Sequence, residues 1–144
     1  MTVESNKEVV RRQFELLGSG DVDGAVALWA PESQNQGRAV DSKGLAKVYE
    51  SVLALSETHA LHEMVAEGEW VAVRTTCSGA YAGKPVVPVH AGTIQEAEPD
   101  GLPSSNEHVH FFKVTDGKLT EHWATRDDLG VDRQIGFQLK PPPT

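Results

Sequence analysis

The sequence contains one cysteine, Cys77, and no long apolar run. A single cysteine cannot form an intrachain disulfide, which suits a reducing compartment, so we expect a cytoplasmic protein. The segment "MTVESNKEVV" carries two acids and lacks the apolar core of a secretory signal. No stretch approaches the roughly 20 apolar residues that span a bilayer. We therefore expect neither export nor a membrane partner.

Positive charge is also scarce, since the sequence has 13 lysines and arginines but 21 acidic residues, which gives a formal net charge of −8. A nucleic-acid partner would need a basic face, so we exclude that class. The sequence has no glycine-rich phosphate loop, no cysteine pair for zinc and no GxSxG motif. These absences argue against nucleotide chemistry and against a serine or cysteine nucleophile. A small, neutral or weakly polar ligand fits best.

The chain has 144 residues, of which 39% are hydrophobic and 24% charged, and we predict one domain over residues 1–144. Apolar residues at helical spacing predict helices in the first half. The predicted elements are a helix over residues 4–17, a short helix from Asp21 that includes Trp29 and stops at Pro31, a polar loop over residues 33–40, and a helix from Ser42 to Val52.

The second half favours strands, because valine and threonine alternate with polar residues. We predict two strands joined at Glu67–Gly68, a strand near 86–96, a loop over 97–106 that is either a lid or a connection, a hairpin over 105–126, a helix capped by Asp127 or Asp128 that carries Val131, Ile135 and Phe137, and a proline-rich tail over 139–144. Helices followed by antiparallel strands indicate an α+β fold. We expect a cone, in which a strongly curved antiparallel sheet packs against the N-terminal helices and encloses a pocket.

The histidines are the main chemical feature. His108 and His110 lie two apart on a strand and therefore share a face. With the turn at Asp116–Gly117, His110 should lie opposite Ala124 and His108 opposite Arg126, with His122 on the same side. If this face lines a pocket, the imidazoles are candidates for proton transfer. If it is exposed to solvent, they form only a solvated polar patch. Neither strand places a carboxylate on this face, so we predict no metal site.

Three segments carry a resemblance: "EMVAEGEWVAVRTTCSG", "HVHFFKV" and "DGKLTEHWATRDDLGVDRQIG". With them, residues 7–137 resemble the SnoaL-like polyketide cyclases of the NTF2-like superfamily. The resemblance implies a cone with a deep apolar pocket, and an aldol condensation without metal or cofactor. In those cyclases an aspartate after the "HW" pair is the general acid/base, and this sequence has Ala124 there. By the same resemblance His110 matches a histidine beside that acid, His108 a polar pocket residue, and Asn35 a pocket asparagine.

The resulting hypothesis is a small cofactor-independent tailoring enzyme that closes a ring in a bulky polyketide-type substrate. His110 and His108 are the predicted catalytic residues. The predicted substrate-binding residues are Asn35, Gln36, Trp29, Trp70, His122, Ala124 and Arg126. The alternatives are a hydroxylation-type or epoxide-opening enzyme and a non-catalytic small-molecule-binding protein, because the acid is missing. The two tryptophans either stack on the ligand or fill the core.

Other residues receive structural interpretations. Trp123 alternates with Ala124 and should lie on the convex face, where we expect a homodimer contact. His59 and His62 sit at a helix–strand junction, where a structural role is favoured. Asp41 either caps the third helix or supplies a carboxylate to the pocket.

Overall fold

The computed structural model describes residues 2–54, 58–80 and 103–134. These residues form four helices and six strands, in the order α1 (Val3–Gly18), α2 (Val22–Ala27), β1 (Trp29–Asn35), β2 (Arg38–Val40), α3 (Ser42–Ala54), β3 (Thr58–Glu67), β4 (Trp70–Ala80), β5 (Pro103–Thr115), β6 (Lys118–Arg126) and α4 (Asp128–Gln134). None of the described helices has the length and apolar character needed to cross a membrane.

The six strands form one sheet in the order β2-β1-β6-β5-β4-β3. Neighbouring strands are antiparallel except β1 and β6, which are parallel. Register shifts interrupt three of the pairings, and such irregularities bend strands. The sheet curves accordingly, and helices pack on it, as the α+β prediction required. The core between them contains Val10, Phe14, Leu45, Val71, Val73, Phe112, Val114 and Leu119.

Trp29 was predicted on the second helix, but α2 ends at Ala27 and Trp29 begins β1. The cap of α2 is as expected, because the Asp21 carboxylate accepts a hydrogen bond from the Gly24 amide at 2.8 Å. The chain then leaves the helix because the Leu28 carbonyl accepts a hydrogen bond from the Leu119 amide at 2.9 Å. Pairing with β6 therefore prevails over helical continuation.

The polar loop predicted over residues 33–40 is also wrong, since this segment forms most of the β1–β2 hairpin. Gln36 and Gly37 turn the chain with φ of 53° and 74°. Positive φ at both central residues is typical of the tight turns that join two antiparallel strands. The hairpin lies at the sheet edge, where polar residues are tolerated, so its sequence lacks the apolar alternation of a buried strand.

The β5–β6 hairpin matches its predicted register, with His110 opposite Ala124 and His108 opposite Arg126. It begins at Pro103, so residues 103–106 of the predicted lid loop belong to β5. The carboxylates of Asp41 and Asp127 accept hydrogen bonds from the amides of Gly44 and Gly130, and thus cap α3 and α4. The predicted strand near 86–96, residues 97–102 of the lid, Ile135, Phe137 and the tail 139–144 lie outside the described residues.

The convex face of the sheet exposes a patch of large apolar side chains. Phe111 and Trp123 are cross-strand partners and are 41% and 42% exposed, and Val109 is 48% exposed. Trp70 stacks on Phe111 with ring centroids 4.6 Å apart. Such a contiguous patch is commonly buried by association. We propose that a second copy of this chain covers it.

We expect light scattering at micromolar concentration to give the mass of a dimer, and the double substitution Phe111→Lys with Trp123→Lys to give a monomer. Charged side chains on the patch would be costly to bury at a twofold contact. Val3→Lys, which alters an exposed valine on α1, is the matched control and should leave the mass unchanged. A monomeric parent protein would refute the proposal.

Candidate active site in the cone cavity

A cavity of about 270 Å³ lies between the helices and the concave face of the sheet. Its apolar wall consists of Phe14, Leu17, Trp29, Leu45, Val48, Val52 and Phe112. Its polar wall consists of Gln13, Asn35, Gln36, Tyr49, His59, His108, His110, His122 and Arg126. Ala124 lies among the polar side chains and keeps that wall open. An apolar cavity with a few grouped polar side chains is the usual form of a small-molecule site.

A second depression, of about 910 Å³, lies on the outside of the protein beside the β1–β2 hairpin. Its lining includes Glu32, Asp41, Lys113 and Glu121, and none of the described lining residues is a histidine. The charged lining makes it a poor match for an apolar ligand. The cone cavity is therefore the candidate site.

Eight of the nine predicted site residues line the cone cavity: His110, His108, Asn35, Gln36, Trp29, His122, Ala124 and Arg126. The exception is Trp70, whose predicted position in the pocket is wrong. Val71 and Val73 on β4 are buried in the core, so by strand alternation Trp70 faces outward. There it stacks on Phe111, and the Lys113 ammonium lies 5.7 Å from its ring centroid.

His59 is one of the cavity residues that sequence reasoning missed. It lies on β3 opposite Cys77, and its ring enters the cavity. Its ring centroid is 5.6 Å from that of His108 and 5.7 Å from that of His110. The structural role predicted for it therefore understates its position, whereas His62 is exposed and bonds Thr76 at 2.7 Å.

Sequence reasoning also missed a pair of residues that joins the two long helices, α1 and α3, at the cavity wall. The Gln13 side-chain amide donates a hydrogen bond to the Tyr49 hydroxyl oxygen at 2.6 Å, and both residues are buried. Burial raises the pKa of Tyr49, so its phenol stays protonated. The sequence contained one indication that Gln13 is buried, because it lies three residues after Val10 on the apolar face of α1.

A chain of hydrogen bonds fixes the proton positions around His110. His122 Nδ1 lies 2.9 Å from the Asn35 Oδ1 atom, which can only accept, so His122 Nδ1 carries the hydrogen. His122 Nε2 then has a lone pair and accepts from His110 Nδ1 at 2.9 Å. His110 Nε2 is consequently left without a hydrogen. This atom is buried and has no hydrogen-bond partner within the described residues.

Burial lowers the pKa of three histidines that line the cavity, and this favours their neutral forms. Burial, followed by the neighbouring His122, lowers the pKa of His110 to about 2. Burial, followed by Arg126, lowers the pKa of His122 to about 4. Burial also lowers the pKa of His59. His110 therefore keeps an acceptor lone pair on Nε2, and its protonated form is strongly disfavoured.

His108 is held by a different partner. The Asn106 side-chain amide donates from Nδ2 to the Asp127 carbonyl oxygen at 3.2 Å, which directs its Oδ1 atom to the other side. His108 Nε2 lies 3.1 Å from that oxygen and must donate to it. The lone pair of His108 therefore lies on Nδ1. Asn106 fixes the orientation of the ring and its tautomer.

No aspartate or glutamate lines this cavity within the part of the chain that is described. Ala124, half-buried and opposite His110, occupies the position where the resemblance implies an acid. Arg126 carries a positive charge among the described lining residues and lies opposite His108 in the β5–β6 hairpin. The groups available for chemistry here are imidazoles and a guanidinium that stays positively charged.

Comparison with known proteins agrees with this architecture. The chain is 28% identical over 138 residues to the aklanonic acid methyl ester cyclase DauD of Streptomyces sp. (strain C5), covering 90% of this chain and 80% of that protein. It is also 28% identical over 138 residues to the aklanonic acid methyl ester cyclase DnrD of Streptomyces peucetius, covering 90% of this chain and 89% of the relative.

Among solved structures, TsrD from Streptomyces laurentii has a TM-score of 0.78 at 22% identity, covering 94% of this chain and 98% of that one. AclR from Streptomyces galilaeus has a TM-score of 0.75 at 21% identity, with the same coverage of 94% and 98%. At these identities the likeness shows a shared fold. The family model of the SnoaL-like polyketide cyclases matches residues 7–135. The chain therefore belongs to the SnoaL-like polyketide cyclase family.

Proposed function

We propose that this protein binds a bulky, mostly apolar polyketide-type compound in the cone cavity and promotes closure of a ring in it. One observation carries the proposal: a cavity with a mostly apolar surface is lined by His110, whose Nε2 is a buried acceptor atom without a hydrogen-bond partner among the described residues. A buried acceptor without a donor is costly, and a substrate hydroxyl or enol would satisfy it.

Shape supplies the first part of the mechanism. Phe14 packs edge-on against His110 with ring centroids 5.3 Å apart, and Phe112 stacks on His122 at 4.6 Å. These contacts hold the imidazole rings in place, and Trp29 and the aliphatic side chains add apolar lining to the cavity. A flexible polyketide confined there loses its extended conformers. Holding the reacting carbons together contributes to the rate through orientation.

His110 supplies the second part. An imidazole with a pKa of about 2 is a weak base, so it is suited to accept a hydrogen bond from an enol rather than to remove a carbon-bound proton from an unactivated ketone. A 1,3-dicarbonyl supplies such an enol. Its carbon attacks a ketone carbonyl, a carbon–carbon bond forms, and the former carbonyl oxygen receives the enol proton. The positive charge of Arg126 stabilises the developing alkoxide.

This mechanism differs from the one implied by the family resemblance. There an aspartate is the general acid/base, and here Ala124 occupies that position. The substrate class is therefore one that already holds an acidic enol, because no carboxylate lines the described cavity to generate it. His108 and Asn35 orient the reacting groups, Asn35 through His122. Neither step requires a cofactor.

The missing acid also favours a second candidate, a binding protein without catalytic activity. The experiment that separates the two uses an open-chain aromatic polyketide methyl ester with a 1,3-dicarbonyl, incubated with the purified chain in the presence of a chelator. Ring-closed isomer is followed by chromatography and NMR, and binding by quenching of tryptophan fluorescence. We expect saturable ring closure above the buffer rate. Binding without product supports the binding protein, and no binding refutes both candidates.

A further inference from the structure

Three imidazoles from two strands converge in the cone cavity. The ring centroids of His59, His108 and His110 form a nearly equilateral triangle with sides of 5.4, 5.6 and 5.7 Å. One ring nitrogen from each residue lies within 4.8 Å of the others. His108 and His110 are buried, and His59 is half-buried. We call this group the histidine triangle.

Hydrogen bonds identify the nitrogen that each ring offers. His110 donates from Nδ1 to His122, which leaves a lone pair on Nε2. His108 donates from Nε2 to Asn106, which leaves a lone pair on Nδ1. His59 directs Nε2 toward the Cys77 sulfur at 3.8 Å, so Nδ1 is its other nitrogen. His59 Nδ1 and His110 Nε2 are both buried and have no hydrogen-bond partner within the described residues.

We infer that the histidine triangle is a binding site for one divalent transition-metal ion, held by one nitrogen from each of its three imidazole rings. Neutral imidazole is the form that ligates metals. Two of the rings show the arrangement typical of metal-bound histidines, in which the nitrogen not facing the metal donates to an acceptor that fixes the ring. Asn106 does this for His108, and the His122–Asn35 pair does it for His110.

The ligand set selects the class of ion. Nitrogen-only sites suit zinc, cobalt, nickel and copper, whereas magnesium and calcium require oxygen ligands. Nitrogens bound tetrahedrally at about 2.0–2.1 Å from a zinc ion lie roughly 3.3 Å apart, so side-chain movements on the order of 1 Å bring the triangle into place. Arg126 on the same wall opposes a cation, and a hydroxide or anionic ligand on the ion offsets that repulsion. His59 thus takes the place of the carboxylate that a two-histidine site would need as its third ligand.

This inference goes beyond the proposed function, because it concerns the protein without substrate and requires no turnover. The two are nevertheless linked by His110 Nε2, which the ion and a substrate enol would both use. The ion would also be accessible from the cavity, since all three rings line it. A 1,3-dicarbonyl, whose two oxygens chelate metal ions, is the kind of ligand that a three-nitrogen site with an open position accepts.

The test is titration of the chelator-treated, dialysed 144-residue chain with Co²⁺ in the absence of substrate, monitored by visible absorption. We expect one equivalent to bind and to give the intense d–d bands of a four-coordinate ion. Zn²⁺ should abolish the bands by displacement, and Mg²⁺ should not. His59→Ala and His108→Ala should each weaken Co²⁺ binding by more than about 100-fold, the upper end of the loss caused by removing a residue that only orients a ligand.

His62→Ala is the matched control, because it removes an exposed histidine outside the cavity from the same strand as His59. It should leave the Co²⁺ affinity unchanged. Circular dichroism and thermal midpoints check that each variant is folded, and His59→Gln provides a second variant that retains bulk. No bands in the parent protein, or equal affinity in folded His59 and His108 variants, would overturn the inference. The ring-closure assay contains a chelator and the Co²⁺ titration contains no substrate, so the outcome of either experiment is independent of the other.

Discussion

Replacing His110 with alanine is expected to reduce ring closure by about 10²–10⁴-fold, the usual contribution of a positioned acid or base. The substitution removes the buried lone pair on Nε2 and also the partner of His122. It leaves the apolar walls in place, so the dissociation constant for substrate should change much less than the turnover number. Steady-state kinetics in the presence of a chelator, combined with fluorescence titration, separates these two effects.

His62→Ala is again the control, since its ring lies on the outer surface and bonds Thr76. It should retain parental kinetics. A loss of about tenfold or less in folded His110→Ala would mean that the cavity acts by shape and that His110 takes no direct part in proton transfer. A parallel loss of binding would instead indicate that the imidazole is mainly a contact for substrate.

The second large effect is expected from Ala124→Phe, which should weaken substrate binding on the order of 100-fold, or about 2.7 kcal/mol. Ala124 lies opposite His110, and its small side chain leaves space beside the imidazole. A phenyl ring there would occupy space in a cavity of only about 270 Å³. Overfilling a packed site is itself costly, so the thermal midpoint must be measured alongside binding.

Thr125→Phe is the matched control, because it places the same ring on the neighbouring residue, which is exposed and faces the opposite side of β6. It should leave substrate affinity unchanged. Unaltered affinity in a folded Ala124→Phe variant would show that substrate does not enter the space beside His110. The proposed mechanism would then lose its geometric basis.

The sequence was sufficient for the parts of the site that depend on local periodicity. The β5–β6 hairpin has a clear turn at Asp116–Gly117, and counting from that turn places His110 opposite Ala124 as observed. The same alternation directs Trp123 to the convex face, where it is 42% exposed. The order of helices and strands led to an α+β cone, and the family resemblance implied the same fold.

The sequence was insufficient where position depends on distant parts of the chain. The β1–β2 hairpin is a polar edge, so neither its strands nor the role of Trp29 follows from hydrophobic spacing. Trp70 and its neighbour Val71 are both apolar, so composition could not decide which of them faces inward. His59 comes near His108 and His110 because β4 pairs with both β3 and β5 and so holds these two strands on either side of it in the sheet. The histidine triangle therefore becomes visible only in three dimensions.

The proposed function is tested most directly by a crystal structure of the chain with a non-cyclisable 1,3-dicarbonyl analogue, from crystals grown in the presence of a chelator. We expect the analogue to lie in the cone cavity, with an oxygen within about 2.6–3.2 Å of His110 Nε2. We also expect contact between the analogue and Trp29, and space beside Ala124 filled by ligand. Density for the analogue in the outer depression lined by Glu32 and Lys113, with the cone cavity empty, would contradict the proposed function.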